Sequence, residues 1–247
     1  MKTISVLGVP VASISKTKAL NKIERFVAST EPHHITTVNP EFLVIAQKNF
    51  GFLRVLLSSD LSLADGVGLQ LAANLNGKSF ASRLPGRVMV EEIAKLAGRH
   101  HWKLFFLGSE PGIAQKAAES LAAKYSGFDF KTSFDDPTAD GTQKSIKDIK
   151  RFKPDILFVA YGAPQQDIWI SDHKELLNVP VMMGVGGAFD YIAGKSKTPP
   201  EYVSKYGLEW LWRLVHEPRR IVRQATRLPT FIALVIIDWF KKSDTNP

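Results

Sequence analysis

The alternation of short apolar runs with amphipathic helical patterns constrains the fold of this chain more than any other feature. Six runs have the length and apolar content of strands: 4–11, 35–38, 61–64, 103–107, 156–160 and 179–184. Helical patterns lie between them at 41–48, 68–75, 87–99, 112–125, 145–152 and 165–177. This order predicts an α/β protein with a mostly parallel sheet and helices on both faces. In such sheets ligands bind at the carboxyl ends of the strands.

The chain is long enough for one sizeable core. It has 247 residues, of which 45% are hydrophobic, and a single domain of this size buries a large share of its surface. Thr198, Pro199 and Pro200 interrupt regular structure ahead of an aromatic, Arg-rich stretch. We therefore expect a catalytic domain over residues 1–197 and a C-terminal helical appendage over 198–247.

The charge balance favours an anionic partner. Lys and Arg number 32 against 24 Asp and Glu, a formal charge of +8, which suits nucleic acid, nucleotide or anionic lipid without choosing among them. Cysteine is absent, which excludes disulfides and thiolate metal sites. The N-terminus lacks a basic segment followed by a long apolar one, so we expect no secretion and a cytoplasmic location.

The tail combines cations with an apolar run. Arg213, Arg220, Arg223 and Arg227 recur at helical spacing just before residues 231–240, a pattern suited to phosphates beside an apolar surface. A solvated basic face is the alternative. The run is shorter than the ~20 residues that span a bilayer. It could lie in the membrane interface, or pack on the domain or on a second subunit in a homo-oligomer, and the sequence leaves these alternatives open.

Glycine turns follow three of the predicted strands, and free N–H groups at the helix starts behind them attract phosphate. Together they predict a nucleotide site at one edge of the sheet. The last turn lacks the final glycine of G-x-G-x-x-G and comes late in the chain, so we expect no nicotinamide cofactor. The candidate ligand contacts in these turns are Gly108, Gly162, Gly186, Gly187 and Asp190.

A second group of polar residues ends the strands at 35–38 and 61–64. Asp65 follows a strand and precedes a glycine, a position from which a carboxylate could take a proton from a substrate hydroxyl. Its alternative role is to cap the helix beginning near Val67. Thr37 and Asn39 could hydrogen-bond a sugar, or merely the backbone of their own turn.

The sequence offers poor metal ligands. Asp-x-Asp does not occur, and His100 and His101 are adjacent rather than helically spaced. We therefore expect no metal and no cofactor. The charge of a departing diphosphate would be met by arginines and helix N-termini instead.

Six motifs, in order, resemble those of the WecG/TagA/CpsF glycosyltransferases, glycosyltransferase family 26. The resemblance runs from near the N-terminus to about Arg223. The motifs are Thr37-Val38-Asn39-Pro40, Ala64-Asp65-Gly66, Arg83-Leu84-Pro85-Gly86, Gly162-Ala163-Pro164-Gln165-Gln166-Asp167, Gly184-Val185-Gly186-Gly187-Ala188-Phe189-Asp190 and Gly207-Leu208-Glu209-Trp210-Leu211-Trp212-Arg213.

The resemblance implies a modified Rossmann sheet with a mobile C-terminal appendage and an inverting, metal-independent transfer. An N-acetylmannosamine-type sugar would pass from a UDP donor to undecaprenyl-diphosphate-linked N-acetylglucosamine on the cytoplasmic membrane face. The products of such enzymes are precursors of teichoic acid linkage units, enterobacterial common antigen or other surface polysaccharides.

The resemblance also implies roles for particular residues. Asp65 matches the general base, Thr37 and Gln166 match polar active-site residues, and Arg83 lies in a motif near the pocket. The appendage arginines, which would close over the site and meet phosphate charge, are Arg213, Arg220 and Arg223.

Two positions depart from the family pattern. Lys197-Thr198-Pro199 stands where many members have Arg-Ala-Pro, and the apolar run at 231–240 replaces a more basic end. Three other functions compete with the transferase: a non-catalytic nucleotide-sugar binding module, an NAD-dependent oxidoreductase and a nucleic-acid binder. The incomplete glycine fingerprint disfavours the oxidoreductase, and the absence of a recognised nucleic-acid motif disfavours the last.

Overall fold

A single eight-stranded sheet organises the computed structural model, which describes residues 1–29, 31–200, 203, 211–212 and 221–244. The strand order is β1-β2-β4-β3-β8-β7-β5-β6, and every pairing is parallel except the β1–β2 hairpin. This confirms the predicted α/β class and its mostly parallel sheet. The strands are β1 Thr3–Val6, β2 Val9–Ala12, β3 His33–Val38, β4 Leu61–Ala64, β5 Lys103–Gly108, β6 Asp129–Ser133, β7 Ile156–Ala160 and β8 Val181–Gly184.

Helices cover both faces of the sheet. The ten in the described part of the chain are α1 Lys16–Val27, α2 Pro40–Ala46, α3 Phe50–Ser58, α4 Val67–Leu75, α5 Gly86–His100, α6 Ile113–Lys124, α7 Ala139–Phe152, α8 Gln165–Leu177, α9 Ala188–Ile192 and α10 Ile221–Asp244. Alternation along β5 shows the two faces: Leu104 and Phe106 pack with α1, α5, α6 and α9, whereas Phe105 and Leu107 pack with α7 and α8. Successive side chains of a strand point to opposite faces of the sheet. A strand that is buried on both faces therefore has a continuous apolar sequence.

The structure corrects the predicted first strand. Residues 4–11 form a hairpin instead, because Leu7 and Gly8 adopt φ angles of 49° and 85° and turn the chain back on itself. The sequence patterns also missed α1, α3 and β6. Strand β6 lies at the sheet edge and buries only Ser133, and α1 buries only Ala19 and Ile23, so neither carries a strong apolar pattern.

Helix α10 packs on the body of the protein beside α2. Phe231 and Val235, one turn apart, are buried in a cluster with residues of α2, α3 and α4. Gly68 lies beneath the helix, where a Cβ would come 3.3 Å from Phe231 and 2.6 Å from Pro40. The division at residue 197 stays a prediction. No helix in the described ranges combines the length and apolar character needed to cross a bilayer.

Candidate active site

A cleft of about 420 Å³ opens at the carboxyl ends of β3, β4, β7 and β8, beside the start of α5. We call it the first cleft. Parallel strands bring these ends to one edge, as the sequence predicts. Its lining comprises Thr37, Asn39, Glu41, Phe42, Asp65, Pro85, Gly86, Arg87, Tyr161, Gly162, Ala163, Gln165, Gln166, Val185, Gly186, Gly187, Ala188 and Tyr191.

Asp65 lines the first cleft directly after β4. Its backbone N–H donates to the carbonyl of Val38 at the end of β3 (2.8 Å), which ties the two strand ends together. Gly66, with a φ of 92°, occupies the N-cap position of α4. Asp65 therefore precedes the cap, and the alternative that it caps this helix is wrong.

Thr37 and Asn39 lie at the end of β3 on the same wall. The hydroxyl of Thr37 is 3.4 Å from the carbonyl of Gly184, which it reaches as a donor. Asn39 is the N-cap of α2, where its Oδ1 accepts from the N–H of Phe42 (3.0 Å). That oxygen serves the helix, so the Nδ2 group is the part of Asn39 suited to binding substrate.

Gln166 forms the back of the cleft and is only 1% exposed. Its Oε1 accepts from the N–H of Gly186 (2.8 Å), and its Nε2 donates to Oδ2 of Asp167 (3.2 Å). These two bonds use one lone pair and one N–H of the amide. The remaining lone pair and N–H are what such an amide can offer to a substrate.

Arg87 contributes a cation to the first cleft that the sequence analysis missed. It is the second residue of α5, next to N–H groups that have no partner within the helix. Among the described residues, Arg87 is the only arginine or lysine in the lining of the first cleft. Arg83 is half-buried and is not part of this lining. Among the described residues, the charged lining of the first cleft consists of Glu41, Asp65 and Arg87.

A second cleft of about 360 Å³ adjoins the first and shares Tyr161, Gly162, Gly186 and Gly187 with it. Asp190 lies here rather than in the first cleft. The other residues of this second cleft are Ser109, Glu110, Phe134, Asp135, Asp136, Pro137 and Ala160.

Ion pairs join Lys195 to two lining residues of the second cleft, Glu110 and Asp190. Nζ of Lys195 lies 2.5 Å from Glu110 and 3.7 Å from Asp190, and the hydrogen bond to Glu110 raises the pKa of Lys195. Ser109 donates to Asp190 over 3.5 Å. The lysine therefore bridges the turn after β5 to α9 as a cation.

Although its predicted contact with ligand stays a prediction, Gly108 has a structural role beside Tyr161. It lines neither cleft among the described residues. Its φ is 92°, and a Cβ there would come 2.9 Å from the ring of Tyr161, so glycine is needed for the close approach of that ring. Tyr161 in turn lines both clefts, and burial raises its pKa, which keeps the phenol neutral.

The loop at 134–137 forms the outer wall of the second cleft. Phe134 is 56% exposed. Burial raises the pKa of Asp135, but hydrogen bonds from Lys144 and Ser133 outweigh burial and hold it below its ordinary value. The Lys144–Asp135 pair at 2.7 Å anchors the loop to α7.

The tail reaches the rim of the first cleft through Arg227, which forms an ion pair with Glu41. Burial lowers the pKa of this guanidinium. Arg213 and Arg220 lie outside the described residues, and so does the side chain of Arg223. Their predicted contacts with phosphate stay predictions.

Metal ligands do not gather in the described part of the structure: no three His, Asp or Glu side chains there are close enough to hold an ion.

The parallel sheet and the clefts at its carboxyl edge are those of an α/β enzyme. The model of the glycosyl transferase WecG/TagA/CpsF family matches residues 4–245. The N-acetylglucosaminyldiphosphoundecaprenol N-acetyl-beta-D-mannosaminyltransferase of Staphylococcus aureus (strain MW2) is 31% identical over 236 residues, 93% of this chain and 90% of that protein. The protein of the same name from strain MRSA252 is 30% identical over the same coverage. The chain belongs to the WecG/TagA/CpsF family and is a glycosyltransferase.

Proposed function

We propose that this glycosyltransferase moves an N-acetylmannosamine-type sugar from a UDP donor to a polyprenyl-diphosphate-linked N-acetylglucosamine. The step would serve cell-surface polysaccharide or teichoic acid biosynthesis at the cytoplasmic face of the membrane. One observation carries the proposal: Asp65, Thr37 and Gln166, which are far apart in sequence, line one cleft with a glycine-rich turn. The mannosaminyltransferase activity in the names of the relatives supports it.

The chemistry assigned to Asp65 is general-base catalysis. The carboxylate takes the proton of the acceptor hydroxyl as the oxygen attacks the anomeric carbon, and the bond from that carbon to the UDP oxygen breaks on the opposite side. UDP leaves with the bonding electron pair. A single displacement of this kind inverts the anomeric centre, so an α-linked donor gives a β-linked product.

The leaving diphosphate needs positive groups around it. The guanidinium of Arg87, the backbone N–H groups near Gly187 and the start of α5 lie along the cleft and suit this role. We propose that three arginines of the appendage add positive charge around the diphosphate: Arg213, Arg220 and Arg223. Charge supplied by arginines in this way would make the transfer independent of a metal ion, which turnover in excess chelator would test.

The nucleoside is proposed to occupy the second cleft. Phe134 offers an exposed aromatic face for a base, and Asp190 offers acceptor oxygens for ribose hydroxyls. The two clefts share the turn at Gly186 and Gly187, so a donor lying across both would place its diphosphate at their junction.

We also infer that α10 rests on the membrane surface. Its buried stripe, Phe231 and Val235, faces the protein, whereas Ile232, Ile236 and Phe240 form an exposed apolar stripe at four-residue spacing. An amphipathic helix with such a stripe lies in the interface of a bilayer. The acceptor lipid would then enter the first cleft from the side on which the tail is docked.

Co-sedimentation with phosphatidylglycerol vesicles tests this attachment. Ile236→Asp should lower the bound fraction several-fold, because a charge is costly in the interface. Leu57→Asp is the matched control on α3, since Leu57 is 50% exposed and Ile236 43%. Equal binding of the two variants, or a dimer that dissociates only in Ile236→Asp, would contradict membrane attachment through this stripe.

The assay for the function measures UDP released from UDP-N-acetylmannosamine with and without a short-chain N-acetylglucosaminyl-diphosphate lipid. We expect release that depends on the acceptor and a disaccharide lipid as the product. Binding of the donor without acceptor-dependent release would overturn the proposal and favour a binding module.

A further inference from the structure

A chain of hydrogen bonds connects the interior of the protein to the wall of both clefts. His34 on β3 is 3% exposed, and its Nε2 lies 3.3 Å from Oδ1 of Asp167, which is 0% exposed. Oδ2 of this carboxyl accepts from Nε2 of Gln166 (3.2 Å), and Oε1 of Gln166 accepts from the N–H of Gly186 (2.8 Å). The chain therefore ends on a backbone amide that lines both clefts.

We infer that His34 and Asp167 are positioning residues for glycosyl transfer. They set the orientation of the Gln166 amide and, through it, the position of the Gly186 backbone. This inference rests on the proposed function, because it assigns His34 and Asp167 to the same site without substrate contact of their own.

The order of donors and acceptors explains how a carboxylate fixes the amide. An ionised carboxylate only accepts hydrogen bonds, so Asp167 selects the NH₂ end of Gln166 as its neighbour. The oxygen end must then face the N–H of Gly186, as observed. A flipped amide would set two donors against each other at Gly186 and two acceptors at Asp167. The Asp167 carboxyl and the Gly186 N–H therefore each disfavour the wrong orientation.

His34 fixes the orientation of the Asp167 carboxyl group in the same way. Burying a carboxylate is costly unless hydrogen bonds compensate, and Nε2 of His34 is placed to donate to the oxygen that Gln166 does not use. With both oxygens engaged, the carboxyl group cannot rotate without losing a bond.

The packing around the chain leaves it little freedom. A Cβ on Gly184 would come 2.5 Å from Oδ1 of Asp167 and 2.6 Å from Nε2 of Gln166. The end of β8 thus presses directly on both side chains. Because the turn from Gly184 to Gly187 continues from this contact, a change in the amide orientation shifts the wall of the clefts rather than a distant surface.

The neighbouring residue supplies a matched control. His33 also lies on β3 and also faces a carboxyl group, with Nδ1 3.5 Å from Oδ1 of Asp60. Asp60 is bound by Lys174 (3.1 Å) and by the backbone N–H of His34. In the described structure the side chains of His33 and Asp60 make no direct hydrogen bond with Asp167 or Gln166. His33→Asn removes an imidazole–carboxylate pair from the same strand without touching the cleft.

The kinetic test compares kcat/KM for the UDP-sugar among variants. Asp167→Asn, which is isosteric but can present a donor to Gln166, should lower kcat/KM about 10- to 100-fold, since small misplacements of a site are costly. His34→Leu should lower it about 10-fold, whereas His34→Gln, whose amide nitrogen can replace Nε2, should stay within about 3-fold of wild type. His33→Asn should equal wild type.

Amide hydrogen exchange at Gly186, followed by NMR without substrate, gives a readout separate from turnover. It should accelerate at least about 10-fold in Asp167→Asn and His34→Leu and remain unchanged in His34→Gln and His33→Asn. If the wild type releases no UDP, the proposed function fails while exchange still reports on the chain. Unchanged kcat/KM in both Asp167→Asn and His34→Leu overturns the inference, whether or not exchange changes. If Asp167→Asn does not fold, equal kcat/KM in His34→Leu and His34→Gln overturns it as well.

Discussion

The two clefts are built differently although they share a wall. In the first cleft Thr37 and Gln166 are buried and Asn39 is half-buried, and all three are held by hydrogen bonds to backbone groups. The second cleft is formed by an exposed phenyl ring and by carboxylates whose partners are surface lysines, such as Lys195 and Lys144.

This difference fits the two tasks that we propose for the clefts of this transferase. Bond formation requires groups that are already oriented before the transition state, and we propose that the first cleft provides them. A nucleoside can be held by contacts that adjust, because exposed ion pairs contribute little individually and rearrange easily. We therefore expect changes in the first cleft to lower kcat, and changes in the second mainly to raise KM for the donor.

The largest expected effect is that of Asp65→Asn. The loss of a general base should lower kcat by about 10²- to 10⁴-fold, while the affinity for UDP, measured by calorimetry, stays near that of wild type. A kcat close to wild type in this folded variant would remove Asp65 from the mechanism and erase the contrast between the clefts.

Arg87→Gln should come next. The loss of a charge-assisted hydrogen bond to the diphosphate costs about 1.5–3 kcal/mol, so kcat/KM should fall about 10- to 100-fold. The kcat/KM of Arg87→Lys should lie between those of Arg87→Gln and the wild type, because lysine keeps the charge but not the planar fork of hydrogen-bond donors. Comparison with Arg83→Gln under the same conditions shows which arginine meets the diphosphate; a smaller loss in Arg87→Gln would assign that role to Arg83.

A smaller effect is expected from Asp190→Asn in the second cleft. We expect KM for the donor to rise about 2- to 10-fold with kcat retained, since asparagine keeps a neutral acceptor oxygen for the ribose hydroxyl and loses only the charge of the carboxylate. Steady-state kinetics with saturating acceptor measures both constants. A large fall in kcat with constant KM would show that the second cleft also takes part in the chemistry.

The smallest effect concerns the loop at 134–137. Because the pKa of Asp135 in the folded protein lies below its ordinary value of 3.8, its stabilising pair with Lys144 is present above that value and is lost as pH falls through the folded pKa. Asp135→Asn should therefore lower Tm by ~1–2 °C at pH 7 and by progressively less as the pH falls below 3.8. A difference that persists unchanged at pH 2 would contradict this assignment.

The sequence predicts the centre of the sheet better than its edges. Strands β5, β7 and β8 are buried on both faces, so their apolar runs are continuous. Strand β6 and helix α1 bury few side chains, so no apolar pattern marks them in the sequence. The turn between β1 and β2 begins at Leu7, which is neither glycine nor proline, so the sequence did not indicate a turn at this residue.

The site shows the same limit. Asp65 and Thr37 were predictable, since each ends a strand and parallel strands end at one edge. Arg87 was missed because the helix start at Gly86 decides which arginine of this segment faces the cleft. The hydrogen bond between His34 and Asp167 joins residues 133 positions apart. Local sequence patterns do not predict contacts at such a separation.

A crystal structure with UDP bound tests most directly the proposal that the second cleft binds the nucleoside and the first cleft binds the sugars. We predict the base against Phe134, the ribose beside Asp190, and the terminal phosphate at Gly187 within reach of Arg87, which would leave the space in front of Asp65 for the two sugars. A nucleotide lying in front of Asp65, or bound away from both clefts, would contradict it.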